Sequence, residues 1–213
     1  MEAMGRVAAG ELANAFCFIG AGGHHAGRNF FGGYCCFNDV VIALRQARRT
    51  GRLRRVAILD TDAHHGDGTR HLVEADPDVL HVCVCGSDYA SPEGTKVDVA
   101  APDPWSLNGS LDEAYLELVR QAFPARADRF RPDLLVWYFG FDTHRGDYGD
   151  LGLTSAAYLG IADVMLETAG RVCGGKLLVV LGVGSRADLA TLLIPPIIAK
   201  LGGLAHRQPA ATG

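Results

Sequence analysis

The sequence predicts an α/β fold of three layers, with helices on both faces of a mainly parallel sheet. Three observations carry that reading. Strand-length apolar runs alternate with helix-period segments almost from end to end, the pattern of a parallel sheet wrapped by crossover helices. The runs are nearly continuous in Val, Ile and Leu, as expected of strands covered on both faces. The 213 residues suffice to bury roughly 70% of the surface exposed by the unfolded chain. One domain over residues 1–200 is therefore expected, with a frayed tail at 201–213.

In chain order, strands are predicted at 15–19, 55–59, 79–85, 134–139 and 177–181, and helices at 39–49, 69–75, 111–123, 155–173 and 187–193. The helix from 111 opens with Ser110-Leu-Asp-Glu113, in which the Ser hydroxyl and the Glu side chain can each satisfy an unpaired N–H at the helix start. Thr154 can cap the helix that follows it. Pro195-Pro196 is expected to end or kink the last helix, because neither residue has an N–H to donate. The longest irregular stretch is 86–108.

Composition narrows the function. At 48% hydrophobic and 21% charged residues the chain matches an average globular protein, which excludes disordered and fibrous classes. Lys+Arg 20 against Asp+Glu 24 gives a net charge of −4, offering no general attraction to nucleic acid or anionic lipid. The densest basic run, Arg45 to Arg55, falls at a helix end, where cations suit the helix dipole. No window approaches the ~18 apolar residues of a membrane span, and the first twelve residues do not form a leader. A cytoplasmic protein is expected. The six cysteines lie mostly in apolar runs. Cys83 and Cys85 share one face of a strand and are read as packing, since no second pair follows at zinc-finger spacing.

Glycine is in excess, 27 of 213 against about 7% on average, and it concentrates after strands. Ligand sites in open parallel sheets gather beyond the carboxyl ends of strands. There the chain reads Gly-Ala-Gly-Gly-His24-His25, Asp60-Thr-Asp62-Ala-His64-His65-Gly-Asp67 and Gly-Phe-Asp142-Thr-His144-Arg-Gly-Asp147. Asp62 and His64, two apart, point to the same side, and Asp142 can complete a three-ligand set. Two carboxylates and an imidazole with an open position suit a divalent, Lewis-acidic metal and hydrolysis. His24 and His25 could move the proton, with Asp60 and Asp67 available to fix their tautomers. A single loop histidine is more often a surface hydrogen-bonder; convergence of three turns favours the catalytic reading. His71, His81 and His206 lack such a context and are read as structural or surface residues. His144 stands undecided.

Together with Gly33-Tyr34-Cys35-Cys36-Phe37-Asn38-Asp39, these three turns resemble the histone deacetylase family, including its bacterial acetoin-utilisation and polyamine-deacetylase relatives. The resemblance spans residues 15–193 in order and spacing. It implies an arginase/deacetylase-like fold and a zinc-dependent amidohydrolase that removes acyl groups from acyl-lysine or acyl-polyamine substrates, small molecules or peptides. By position it implies Asp62, His64 and Asp142 as zinc ligands and His24 and His25 as the acid/base pair, backed by Asp60 and Asp67. It implies Gly33 and Tyr34 at the wall of an acyl-lysine tunnel, and a structural potassium near the 60–64 turn.

Two departures from the family pattern stand out. Where the family presents an oxyanion-binding tyrosine after the last of these strands, the chain has Arg186, in Leu181-Gly-Val-Gly-Ser185-Arg186. Three roles stand open for it: an oxyanion donor, a partner for an acidic acyl group, or an outward-pointing surface residue. Only 23 residues precede His24, so the N-terminal part of the family fold is expected to be missing. An exposed sheet edge is then expected to favour oligomers. Two rival readings remain: a relative that binds metal and acylated ligands without turnover, and a two-manganese ureohydrolase, which needs further bridging carboxylates.

Overall fold

Side chains alternate across a strand, so every other residue of each apolar run faces the same way. That alternation sorts the runs into two cores on opposite faces of one sheet. A computed structural model describes residues 1–20 and 22–204. The strands are β1 (Asn14–Cys17), β2 (Val56–Asp60), β3 (Val79–Cys85), β4 (Tyr89–Ala90), β5 (Lys96–Ala100), β6 (Leu134–Phe139) and β7 (Leu177–Leu181). Their order is β1-β7-β6-β2-β3-β5-β4, parallel except for β4.

The helices are α1 (Glu2–Ala8), α2 (Asp39–Arg48), α3 (Asp67–Val73), α4 (Leu111–Ala122), α5 (Pro124–Phe130), α6 (Ser155–Cys173) and α7 (Ala187–Leu201). Leu59, Val82, Trp137 and Val179 face one core, closed by α4 to α7 through residues such as Val119, Ile161 and Leu193. Ile58, Val136 and Val180 face the other, closed by Met4 and Val7 of α1, Leu44 of α2 and Val73 of α3. Ser110 and Thr154 cap α4 and α6 through their side chains. Among the described residues no helix is long and apolar enough to cross a membrane.

Several expectations need correction. Among the described residues the sheet has seven strands rather than five, because the stretch expected to be irregular carries β4 and β5. Lys96-Val-Asp-Val-Ala alternates with polar residues and so lacked the continuous apolar signal; its Lys96 is nevertheless buried, its Nζ donating to the carbonyls of Asp76 and Val79 and to Thr95 Oγ1. Helices α1 and α5 were also unforeseen, each only 7 residues long. The last helix runs through Pro195 and Pro196 to Leu201 instead of stopping at 193. Burial of Leu193, Ile194, Pro196 and Ile197 offsets the two missing N–H groups. Of the expected tail, Leu201 closes α7, whereas 205–213, with His206, lies outside the described residues. At the sheet margin β1 is half-buried, flanked by α1 and α7.

Candidate active site

The carboxyl ends of β7, β6 and β2, neighbours in the sheet, open onto a cavity of about 760 Å³ walled in part by His24, His25, Gly33, Tyr34, Asp62, His64 and Tyr148. Asp60 is the last residue of β2, and the chain turns sharply after it because Asp60 Oδ1 accepts the N–H of Asp62, 3.1 Å away. The same device recurs one step on, where Asp62 Oδ1 accepts the N–H of His64 at 2.9 Å. Asp142 arrives from the loop after β6 and accepts the N–H of Ala63 at 3.3 Å, which joins the two loops.

Asp62, His64 and Asp142 each bring one ligand atom to within 4.8 Å of the others. His64 Nδ1 lies 3.1 Å from Asp62 Oδ1 and 3.2 Å from Asp142 Oδ2. Asp62 Oδ2 is buried with no hydrogen-bond partner. Burial and the adjacent Asp62 carboxylate push Asp142 up to about 7. Two buried carboxylates without a cation are poorly compensated, and the orphaned oxygen is an acceptor without a donor. The donor set therefore fits a divalent ion with mixed O/N ligands.

The histidine pair stands beside this set. His24 Nδ1 bonds Asp60 Oδ2 at 2.9 Å and His25 Nδ1 bonds Asp67 Oδ1 at 2.7 Å, with the two rings 4.2 Å apart. Although burial opposes its charge, His24 is raised to about 10 by the Asp60 carboxylate beside it, with help from Asp62. Gly33 is required where it stands: its φ is +51°, and a Cβ there would lie 2.2 Å from His25 Cδ2. Tyr34, next to it, is almost wholly exposed at the mouth of the cavity.

Nine of the ten site residues expected from sequence thus gather here: His24, His25, Asp60, Asp67, Gly33, Tyr34, Asp62, His64 and Asp142. Arg186 does not line the cavity. Its guanidinium pairs with Asp188 at 2.5 Å and reaches the carbonyl of Gly146 at 3.3 Å, so of its three possible placements the structure takes the outward one. His144 turns away, its Nδ1 donating to the carbonyl of Arg145 while its ring stacks on Tyr158. His81 is buried, accepting from Arg70 Nε, and His71 accepts the N–H of Arg28.

Sequence reasoning missed Tyr148, whose ring stacks on His64 with centroids 5.5 Å apart, and Ser185, which also lines the cavity. It also missed the use of Asp147, which accepts from the N–H and hydroxyl of Ser185 and so ties the loops after β6 and β7. A tyrosine directly after Asp147 in the third turn was the available signal.

The sheet order and this site define an α/β protein of arginase/deacetylase-like architecture with a candidate metal centre at the carboxyl ends of its strands. A family model for the histone deacetylase domain matches residues 1–191, and the chain belongs to the histone deacetylase family. It is 32% identical over 187 residues to histone deacetylase 15 of Arabidopsis thaliana, covering 82% of this chain and 33% of that protein. It is 30% identical over 192 residues to a histone deacetylase-like amidohydrolase of Pseudomonas aeruginosa, covering 84% and 50%. Among solved structures, the HD domain of HDA15 superposes with a TM-score of 0.79 at 30% identity, over 95% of this chain and 61% of that one. An acetylpolyamine aminohydrolase from Burkholderia pseudomallei superposes with 0.76 at 28%, over 95% and 60%. The chain spans a third to a half of the length of these two curated relatives.

Proposed function

We propose that this chain carries the site of a zinc-dependent deacetylase that cleaves the amide of acyl-lysine or acyl-polyamine substrates, with a structural potassium ion near the 60–64 turn. The observation that carries the reading is the convergence of Asp62, His64 and Asp142 within 4.8 Å beside two imidazoles each backed by a carboxylate.

Asp62, His64 and Asp142 would hold the zinc ion, which when bound supplies Lewis acidity to a carbonyl and makes water more acidic. The Asp60 and Asp67 carboxylates keep a proton on Nδ1 of His24 and His25, so proton exchange with the substrate runs through each Nε2, and His24, raised to about 10, suits the imidazolium role. One imidazole takes a proton from the attacking water, and the amine leaves with a proton from an imidazolium, so the two histidines balance the hydrolysis. Phe18, Leu181 and Val183 line the cavity with apolar surface, which suits the methylene chain of an acylated amine. With Arg186 turned outward, we assign the steadying of the developing oxyanion to the phenol of Tyr148, which lines the cavity and stacks on the candidate ligand His64.

A panel of acetyl-lysine peptides and acetylated polyamines tests this, with release of free amine as the readout and zinc content measured on the same samples. Turnover that is lost in Asp142→Ala together with zinc supports it. Zinc binding with no turnover on any member would select the second reading, a ligand-binding relative, which the outward Arg186 favours.

A further inference from the structure

A second cluster of ligand atoms lies one strand away from the site described. His65, Cys83, Cys85 and Asp98 each bring one ligand atom to within 4.8 Å of the others. Sheet register assembles them: Cys83 on β3 stands opposite Asp60 on one side and Asp98 of β5 on the other. Cys85, two residues on, faces the same way, and His65 follows His64 in the turn after β2. His65 Nδ1 lies 3.5 Å from Cys85 Sγ and 3.6 Å from Asp98 Oδ1. Ligands at zinc's bond lengths in a tetrahedron sit roughly 3.3–3.8 Å apart, so little movement is needed to close a shell.

We propose that these four side chains form a second, closed metal site that takes one zinc ion through two thiolates, an imidazole and a carboxylate, independently of Asp62, His64 and Asp142. Thiolates select a soft or borderline ion over potassium, magnesium or calcium. The surroundings suit it. Both cysteines are free and buried. Arg70 now pairs with both oxygens of Asp98, Nη2 with Oδ1 and Nη1 with Oδ2. When Oδ1 turns to the metal, Arg70 keeps Oδ2 and orients the ligand. Binding releases the two thiol protons; two thiolates and one carboxylate then balance a divalent ion and one guanidinium. Half-exposed His65 is the side of entry. Because His64 and His65 are consecutive, the site would pin the turn that carries the first metal set to the β3–β5 edge.

Cobalt distinguishes the two sites, because only sulfur ligands give an intense sulfur-to-cobalt charge-transfer band. The purified chain, stripped with a chelator, is titrated with cobalt and, in parallel, with zinc. The expected result is two ions per chain and a thiolate band. Cys83→Ser/Cys85→Ser should remove the band and one ion; Asp142→Ala should remove one ion and keep the band. No thiolate band at saturation, or a band that survives the double serine variant, would overturn the proposal. Should that variant fail to fold, His65→Ala at the exposed corner serves: cobalt affinity read from the band should fall by at least ~10-fold, and an unchanged affinity overturns the proposal.

Discussion

Asp147 holds Ser185: its carboxylate accepts the hydroxyl at 2.8 Å and the backbone N–H at 3.0 Å, so the loop after β6 fixes the loop after β7. The N–H groups of Tyr148 and Arg186 complete the set. Partial burial works against the charge, but these donors outweigh it and hold the Asp147 carboxyl below the ordinary range. A carboxyl lowered by folding contributes stability that is fully present above its unfolded value of about 3.9 and is lost as pH falls through the folded value. Asp147→Asn should therefore cost about 1–3 kcal/mol at neutral pH. In urea unfolding, its deficit against the parent chain should be constant down to about pH 4 and shrink below that.

Gly33→Ala should disturb His25 more than the fold. The new methyl would meet the imidazole at 2.2 Å and the backbone would keep φ +51°, a conformation costing an L-residue roughly 1–2 kcal/mol. Amine release should fall while the melting temperature drops only modestly, and the His25 ring resonances should move in NMR spectra. Unmoved resonances would disprove the contact.

If the Tyr148 phenol steadies the oxyanion, Tyr148→Phe should lower kcat by about 10²–10³, the usual effect of losing one such donor, with KM little changed. Arg186→Ala should leave kcat nearly unaltered, because its guanidinium is engaged by Asp188 outside the cavity. The reverse ranking would return Arg186 to the oxyanion role.

Lys96→Met would leave the buried carbonyl of Val79 without its Nζ donor, whereas the carbonyl of Asp76 keeps the N–H of Val79. An unpaired buried acceptor costs about 1–3 kcal/mol, so a clear loss of stability in urea unfolding is expected. A neutral outcome would mean that water enters to replace the ammonium.

Which turns carry the chemistry is a local property of the chain. Glycines beside His24-His25, the Asp-x-Asp-x-His run and Asp142 announce themselves without neighbours, and continuous apolar runs mark β2, β3, β6 and β7 because both faces of those strands are covered. By itself, then, the sequence determined the parallel α/β architecture and the residues of the first candidate metal set. What it could not determine depends on partners far along the chain. β5 hides a buried Lys96 whose bonds come from residues 76 and 79. Arg186 points where the carbonyl of Gly146, 40 residues back, meets its guanidinium. Cys83 meets Asp98 only through strand register. Packing decides those placements because hydrogen bonds and ligand shells act over a few ångströms in space, whatever the separation in sequence.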